Sequence, residues 1–411
     1  MNPIRVAIVG AGGGRGRWFA GEAARNPRFE VVALVDTLAE AAEAVRRHVG
    51  IPTVPVHTEL TSALDAVACD AVIVATEDSG HVGPAVTALE RARFVLTEKP
   101  LATTVADCVR MIEADERAGG RTMVGFNLRF APFYRKMKEI ASSGEIGRLL
   151  TIQADEFYHQ GRTYFRRWNR LRASGGGLWI TKASHDFDLL YWMADRLPLS
   201  VHADAELSHF VTRPEAGERC SVCPIERDCI DSNLGDDVHY PPIWHEIAAI
   251  REKHGRPPRD LCLYNSDKDT FDHGIATVRF PGDLFAVYTL NVVAPMTDRR
   301  MRIGGSDGMI EGAVSAPRVT RYVRAKTRLE PVVVEAIYAD TDATASHGGG
   351  DSVLLDDFAR FVHGEIPVPV APARAAVAVA MGVAATRSAE ERRDVPLESI
   401  EGWDRIAGRL A

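Results

Sequence analysis

A glycine-rich stretch near the start of the chain has residue types that suit phosphate binding. It has the sequence IVGAGGGRGR over positions 8–17. A dinucleotide-binding turn needs glycines at fixed spacing, because its backbone turns tightly and approaches a diphosphate closely. Gly10 and Gly12 fit that spacing, but Arg15 takes the third position and Gly16 comes one residue late. The stretch alone is therefore a weak indication of dinucleotide binding.

The extra residue leaves two arrangements of this turn open. In the one that we favour, Gly13 and Gly14 widen the turn and Gly16 packs the following helix. In the other, Arg15 replaces the third glycine and faces the phosphates.

An acidic residue follows the turn where a dinucleotide-binding unit requires one. The strand Ile4–Val9 precedes the turn, a helix is predicted over 17–25, and a second strand over 29–36 ends in Asp36. The Asp36 carboxylate is suited to accept hydrogen bonds from both ribose hydroxyls, and it would repel a 2′-phosphate. We therefore expect NAD rather than NADP, although two arginines of the turn leave some room for NADP. The alternative is a domain that binds no dinucleotide, with Asp36 as a helix N-cap.

Four of the six cysteines are grouped in a segment with little periodicity, residues 209–272. They are Cys220, Cys223, Cys229 and Cys262. Disulfides are not expected in a reducing cytoplasm. Four thiolates would complete the shell of a structural zinc ion, and an iron–sulfur cluster uses the same ligands. We expect a structural metal site here, with zinc as the candidate ion and four free cysteines as the alternative.

The elements around these residues indicate two domains. In residues 1–126, continuously apolar runs alternate with helical patterns, which is typical of a parallel sheet covered on both faces. This predicts a doubly wound α/β Rossmann domain. The further elements predicted there are a helix that ends near residue 49, strands over 71–76, 94–97 and 122–126, and helices over 82–91 and 106–118.

Residues 127–411 have a different pattern. Alternating β-branched stretches and a hairpin signal at Pro281-Gly282-Asp283 predict an α+β domain with a large, mostly antiparallel open sheet. Residues 209–272 are expected to be an insertion, and residues 351–411 to carry the closing helices. The strands are predicted over 149–158, 200–207, 274–280 and 284–293.

Bulk composition excludes several classes of protein. The 411 residues are 46% hydrophobic and 26% charged, with a net charge of −7, as in a soluble globular protein. No block of lysine or arginine indicates nucleic-acid binding. No apolar run reaches the roughly 18 residues that a membrane span needs. We find no signal sequence at the N-terminus, and we expect a cytoplasmic protein.

A second pattern makes the first domain more specific. A strand that ends in Thr76, a histidine at His81, and a strand that runs into Glu98-Lys99-Pro100 occur in this order over residues 72–114. The sequences GFNLRFAPFYRKMKEI and SGEIGRL follow. Nearly the whole chain resembles the glucose–fructose oxidoreductase, inositol dehydrogenase and MocA family. Members typically carry Thr-Pro where this chain has Thr76-Glu77, and the cysteine segment is the least typical part.

The resemblance implies that Lys99 lies beside the nicotinamide and the reacting carbon, and that Pro100 often follows in a cis bond. An ammonium there would stabilise the alkoxide that forms as hydride leaves. The alternative for Lys99 is an exposed ion pair at a strand end. The resemblance also implies contacts of five further residues with cofactor or substrate, and for Asn127 and Arg129 structural hydrogen bonding is the alternative. The residues concerned are Thr76, His81, Glu98, Asn127 and Arg129.

The stretch GGGLWITKASHDFDLLYWM, residues 175–193, resembles the family's substrate-facing helix with its D-x-x-x-H-x-x-D pattern. His185 and Asp188 match, whereas Thr181 stands in place of the first aspartate. A threonine cannot supply the charge that raises the basicity of an imidazole. Either Asp186 or Asp188 takes over the orienting role, or Lys182 reaches the substrate as a second cation. In the second case Lys182 would bind sugar hydroxyls, or act as the base itself if burial beside Lys99 lowers its pKa.

We expect His185 to be the base, with Lys99 and Lys182 as electrostatic and positioning groups. A histidine at a helix start that is satisfied by the backbone is the alternative for His185. Trp168 is a candidate wall for a sugar or nicotinamide ring, or a core residue. His347, before three glycines and a helix capped by Asp351, is a secondary candidate for a substrate contact, and a capped helix after a flexible turn is the alternative.

These residues predict an NAD-dependent dehydrogenase that acts on a secondary alcohol of a sugar, cyclitol or glycoside. The direction of the reaction stays open. One alternative is a glycoside-cleaving enzyme that retains NAD and oxidises the sugar only transiently. The other is a non-catalytic NAD-binding sensor. The resemblance implies a homo-oligomer, a dimer or a tetramer.

Overall fold

The apolar strands of the first domain form one parallel sheet. The computed structural model describes residues 2–235, 241–316, 318–324, 332–337 and 346–410. Six strands pair in parallel in the spatial order β3-β2-β1-β4-β5-β6. Their side chains are almost entirely buried, which explains the absence of polar alternation. The strands are β1 (Ile4–Val9), β2 (Phe29–Val35), β3 (Val56–His57), β4 (Ala71–Val74), β5 (Phe94–Glu98) and β6 (Thr122–Gly125).

Five helices connect these strands. They are α1 (Gly14–Arg25), α2 (Ala39–Val49), α3 (Leu60–Ala66), α4 (Val82–Glu90) and α5 (Val105–Arg117). Because the strands are parallel, their carboxyl ends lie along one edge of the sheet. The strand order reverses between β1 and β4, and such a crevice is the usual ligand site of this fold.

The second sheet has nine strands in the order β14-β13-β12-β11-β7-β10-β9-β8-β15. Strand β10 pairs in parallel with β7, and the other pairs are antiparallel. The predicted hairpin joins β9 to β10, where Phe280 pairs with Leu284. The strands are β7 (Leu149–Tyr158), β8 (Ser200–Glu206), β9 (His273–Phe280), β10 (Leu284–Asn291), β11 (Thr297–Gly305), β12 (Gly308–Ala313), β13 (Arg318–Val323), β14 (Val332–Ile337) and β15 (Val395–Pro396).

Helices of the second half cover one face of this sheet and connect it to the first domain. The alanine-rich helix α12 (Pro372–Glu391) packs against α5 of the first domain and against β8 and α9 (Ser184–Ala194) of the second. The predicted fold class is therefore confirmed. The helices are α6 (Pro132–Ser143), α7 (Arg172–Gly175), α8 (Leu178–Thr181), α9 (Ser184–Ala194), α10 (Pro242–Lys253), α11 (Gly350–Val362), α12 (Pro372–Glu391) and α13 (Trp403–Ala407).

The cysteine segment lies between β8 and β9 and carries α10 together with short 3-10 turns. Its residues 236–240 lie outside the described part of the chain. The domain division after residue 126 and the insertion bounds 209–272 stay predictions. Within the described ranges, no helix is both long enough and apolar enough to cross a membrane.

Candidate active site

Three glycines of the turn at the end of β1 are sterically required, and one of them is Gly12, where a Cβ would lie 2.6 Å from Ala41 Cβ. Gly10 has φ of +78°, and a Cβ there would lie 2.6 Å from the carbonyl oxygen of Ala75. A Cβ on Gly16 would overlap the carbonyl oxygen of Gly10. Gly16 thus lets α1 pack against the turn, as in the arrangement that we favoured. By contrast, a Cβ on Gly14 would meet no atom within 4 Å.

The start of α1 fits a diphosphate. Its N-cap residue Gly13 makes no side-chain capping hydrogen bond, and the first turn carries no acidic residue. The first amides of this helix are therefore available to an anion. Nearby, Asp36 accepts hydrogen bonds from the amides of Gly12 at 2.8 Å and Leu38 at 2.9 Å. The N-cap of α2 is Leu38, so Asp36 is not the cap residue itself.

Arg15 faces carboxylates. Its Nε donates to Glu98 Oε1 at 2.6 Å, and its Nη atoms donate to both Asp351 oxygens at 2.9 and 3.0 Å. Asp351 also accepts from Asn127 Nδ2 at 2.7 Å and lies 2.9 Å from His347 Nδ1. Although burial acts in the opposite direction, His347 and Arg15 lower the pKa of Asp351. This network favours a structural role for Arg15 over the alternative in which it faces the phosphates.

Thr76 and His81 both follow the carboxyl end of β4. Thr76 follows the strand beside Gly10, and its Oγ1 donates to the carbonyl oxygen of Glu77 at 3.1 Å. His81 is buried, and its Nδ1 lies 2.7 Å from the carbonyl oxygen of Pro100. Burial lowers the pKa of His81, so the neutral ring donates to that carbonyl. His81 therefore fixes the loop after β5, on which Lys99 lies.

Lys99 connects the two domains. Its Nζ donates to the carbonyl oxygen of Thr181, at the end of α8, at 2.7 Å, and the Lys99–Pro100 bond is cis. Burial and the charge of Lys182 lower the pKa of Lys99, whereas Asp78 opposes this shift.

Asp78 was not predicted from the sequence. It is buried two residues after Thr76, and burial raises its pKa to about 7 even though Lys99 and Thr181 lower it. The acidic pair Glu77-Asp78 after the predicted strand 71–76 was the available signal.

His185 is buried in the first turn of α9. In the described part of the chain its Nδ1 has no hydrogen-bond partner. Burial and the charge of Lys99 hold the pKa of His185 well below its usual range. The imidazole is therefore neutral at neutral pH and free to accept a proton. The ring of His347 lies beside it, with 5.7 Å between the centroids.

Neither aspartate of α9 orients His185. Asp188 accepts both hydrogen bonds of a bidentate pair from Arg129, each at 2.7 Å. Asp186 accepts from the hydroxyl of Tyr288 at 3.0 Å and from Arg299 Nε at 3.3 Å. Arg129 is buried in its pair with Asp188, which favours a structural role over the predicted contact with substrate.

Lys182 belongs to a buried charge cluster whose other members, Glu156 and Arg299, were not predicted from the sequence. Its Nζ lies 2.8 Å from Glu156 Oε1 and 3.5 Å from the ring centroid of Tyr158. The same Glu156 oxygen lies 2.6 Å from Arg299 Nη2. Burial alone would raise the pKa of Glu156, but Arg299 and Lys182 lower it. The charged residue Glu156 inside the predicted strand 149–158 was the signal for this cluster.

Thr181 and Trp168 both lie beside Gly175. Asn169 Nδ2 donates to Thr181 Oγ1 at 3.0 Å. A Cβ on Gly175 would lie 3.4 Å from the half-buried ring of Trp168 and 3.3 Å from Thr181 Cβ. The substituted threonine thus contributes its carbonyl to Lys99 and its side chain to Asn169.

The four grouped cysteines line one small cavity as free thiols, but the predicted metal site is not supported. Within the described ranges, no set of three or more histidine, cysteine or acidic side chains is arranged to hold a metal ion. Two of the thiols have protein partners instead. The amide of Gly217 donates to Cys223 Sγ at 3.3 Å, and Arg166 Nη2 lies 3.8 Å from Cys220 Sγ.

Two domain models and several relatives match this chain. Residues 4–126 match the oxidoreductase family, NAD-binding Rossmann fold, and residues 138–397 match its C-terminal alpha/beta domain. A putative oxidoreductase, YteT of Bacillus subtilis, is 31% identical over 372 residues, which is 80% of this chain and 82% of that protein. Inositol 2-dehydrogenase 3 of Saccharopolyspora erythraea is 34% identical over 167 residues, 40% of this chain and 46% of that protein.

Solved structures share the fold at low identity. Levoglucosan dehydrogenase in complex with NADH and levoglucosan has a TM-score of 0.74 and 17% identity, and the match covers 96% of this chain and 99% of that one. The WlbA dehydrogenase of Bordetella pertussis, in complex with NADH and UDP-GlcNAcA, has a TM-score of 0.67 and 20% identity, covering 96% and 98%. With two domain models matched over most of its length, the chain belongs to the glucose–fructose oxidoreductase, inositol dehydrogenase and MocA family of oxidoreductases.

Proposed function

We propose that this oxidoreductase transfers hydride between NAD and a secondary alcohol or ketone of a sugar or cyclitol. The observation that carries the proposal is the bond from Lys99 Nζ to the carbonyl oxygen of Thr181 at 2.7 Å. It brings the ammonium at the end of β5 to the segment that begins α9 and carries His185. A proton acceptor and a cation thus meet at the carboxyl edge of a sheet whose glycine turn fits a diphosphate.

The chemistry assigned to these residues is proton transfer and charge stabilisation. A bound nicotinamide ring supplies the acceptor or the donor of the hydride. In the oxidation direction, the neutral imidazole of His185 takes the hydroxyl proton while the carbon–hydrogen bond breaks. The Lys99 ammonium stabilises the negative charge that develops on the oxygen. In the reverse direction His185 returns the proton.

Lys182 has a supporting role in this proposal. Its ammonium is paired with Glu156, so it is not the base. Together with Arg299 it keeps positive charge beside His185, which lowers the pKa of that histidine. Lys182 therefore helps to keep the base unprotonated at neutral pH.

NAD is favoured over NADP by the position of Asp36. Its carboxylate lies at the end of β2 and is hydrogen-bonded to Gly12 of the glycine turn at 2.8 Å. A 2′-phosphate near this carboxylate would be repelled, whereas ribose hydroxyls would donate to it. Asp36→Ala is expected to reduce the preference for NAD.

The substrate class rests on the chemistry of the site and on the names of the relatives. Inositol 2-dehydrogenase among the relatives and the levoglucosan and UDP-GlcNAcA complexes among the structural neighbours involve polyhydroxylated rings. The buried cluster of Lys182, Glu156 and Arg299 offers charged partners to such hydroxyl groups. Trp168 and His347 are further proposed contacts.

A direct test is to purify the chain, identify any bound nucleotide and screen polyols, cyclitols and glycosides with NAD and NADP. We expect NADH to form from a free polyol, or a ketone substrate to consume it. Release of an aglycone without net NADH would indicate the glycoside-cleaving alternative. Nucleotide binding with no turnover of any substrate, unchanged in Lys99→Met and His185→Asn variants, would indicate the sensor.

We also propose that the chain forms a homo-oligomer through the uncovered face of the second sheet. Ile275 on β9 is 44% exposed and Phe285 on β10 is 40% exposed. Light scattering coupled to size-exclusion chromatography is expected to give the mass of a dimer or a tetramer. Ile275→Lys is expected to dissociate it, whereas a monomeric wild-type protein would contradict the proposal.

A further inference from the structure

Helix α10 of the insertion lies across the first domain, alongside α2. Glu246 Oε1 lies 2.6 Å from Arg47 Nη2, and Lys253 Nζ lies 2.8 Å from Glu40 Oε1. Because the paired positions rise along one helix and fall along the other, the two helices run antiparallel. The insertion is therefore attached to the domain that carries the glycine turn.

One face of α10 points toward that turn. Trp244, Ile247 and Arg251 are three and four residues apart and share a face of the helix. The guanidinium of Arg17, in α1, lies 4.3 Å from the ring centroid of Trp244. Ile247 is buried, and Arg251 Nη2 lies 4.0 Å from the position that a Cβ on Gly13 would take. Arg251 thus reaches the N-cap of α1.

Arg17 and Arg251 bring two positive charges together at this point. Both side chains are half-buried, and in the described part of the chain no carboxylate forms an ion pair with either one. Burial and then the charge of Arg251 lower the pKa of Arg17. Burial also lowers the pKa of Arg251, and the charges of Asp36 and Glu77 oppose that shift without a direct contact.

A bound anion would reduce the repulsion between these two arginines. Two half-buried guanidinium groups repel each other, and the free amides of α1 add partial positive charge. A guanidinium matches phosphate oxygens in geometry, because its donors form a planar fork. The guanidinium groups of Arg17 and Arg251 and the first amides of α1 thus converge where a diphosphate would lie.

We propose that α10 is part of the dinucleotide site and that Arg251, together with Arg17, binds a phosphate of the cofactor. The inference rests on the proposed function only in that it requires a dinucleotide. The shared chemistry is a phosphate oxyanion, supplied by the diphosphate of NAD or by the 2′-phosphate of NADP. The insertion would then contribute to cofactor affinity from outside the Rossmann domain.

The experiment measures dissociation constants of NAD⁺, NADH, NADP⁺ and ADP-ribose for the full chain by calorimetry. Loss of one charge-assisted hydrogen bond is expected to weaken binding about 10- to 100-fold in Arg251→Ala and Arg251→Met. Arg256→Ala is the matched control, because Arg256 also lies on the insertion but is half exposed. Its Nη1 atom lies 3.6 Å from Glu77 Oε1. We expect the dissociation constants of Arg256→Ala for these nucleotides to lie within about twofold of the wild-type values.

Equal weakening for NAD⁺ and ADP-ribose would identify the diphosphate as the source of the anion, and weakening for NADP⁺ alone would identify the 2′-phosphate. Either outcome supports the proposal. If folded Arg251→Ala and Arg251→Met proteins bind every nucleotide within twofold of wild type, the proposal is wrong and the proposed function is unaffected. If wild type binds no dinucleotide, the proposed function fails, and this inference fails with it.

Discussion

Lys182 Nζ lies 2.8 Å from Glu156 Oε1, and this buried contact decides what the second lysine of the site can do. Arg299 Nη2 lies 2.6 Å from the same oxygen, so Glu156 is shared by two cations, and Arg299 also donates to Asp186 at 3.3 Å. Lys182 is held as a charged partner of Glu156, and His185 is left as the group that can take a proton.

Replacing Glu156 by glutamine is expected to destabilise the protein. The substitution leaves Lys182 and Arg299 buried without their shared counter-charge, and breaking a buried pair costs about 3–5 kcal/mol. Urea unfolding measures the loss. Glu311→Gln, which breaks an exposed pair with Arg302, is the control and is expected to change the free energy of unfolding by about 1 kcal/mol or less. Equal effects of the two substitutions would contradict the role of the cluster.

Loss of His185 or Lys99 is expected to impair turnover and to spare nucleotide binding. His185→Asn removes the proton acceptor, and general acid–base groups contribute about 10²- to 10⁴-fold to a rate. Lys99→Met removes the stabilising cation, at a cost of about 10²- to 10³-fold in kcat. Steady-state kinetics and calorimetry with NAD separate the two effects. His202→Asn, on β8, is expected to retain wild-type kinetics, and a His185→Asn enzyme of normal kcat would exclude His185 as the base.

The pH dependence of the oxidation reaction is expected to show the pKa shifts of these two residues. The pKa of His185 is lowered, so the base stays neutral down to a pH below the usual value of about 6.5. Protonation at lower pH removes the acceptor, and kcat/KM falls. On the alkaline side, the lowered pKa of Lys99 places the loss of its ammonium below the usual value of about 10.4.

Two variants assign the acid and alkaline limbs of this pH profile to particular residues. Lys99→Arg is expected to remove the alkaline limb, because a guanidinium does not titrate in this range. Asp78→Asn tests whether the nearby acid, whose pKa is raised to about 7, contributes to the acid limb. The acid limb is expected to persist in Asp78→Asn. An acid limb centred above pH 6.5 in wild type would be inconsistent with the assignment to His185.

The glycine turn gives a matched pair of substitutions. Gly16→Ala places a methyl group against the carbonyl oxygen of Gly10, and such overpacking costs about 1–3 kcal/mol. Gly14→Ala, two residues earlier, adds a methyl group that meets no atom within 4 Å. We expect a lower Tm and weaker NAD binding only in Gly16→Ala. Equal Tm values for the two variants would show that α1 does not need the close approach at Gly16.

The sequence by itself determined the local features of the site. The glycine turn, Asp36 and the Glu98-Lys99-Pro100 tripeptide lie at the carboxyl ends of strands, and parallel strands bring these ends to one edge. The alternation of apolar runs and helices was sufficient for the fold class. These features depend on neighbours along the chain, and a pattern of residue types records them.

Only the tertiary structure decided the partners of the charged groups. Arg15 meets Asp351 across 336 positions, Lys182 meets Glu156, and Arg251 of the insertion reaches the glycine turn. The four cysteines show the converse, because ligand-like spacing did not produce a set arranged to hold a metal within the described ranges. Electrostatic interactions depend on distance through space and on burial, and spacing along the chain records neither.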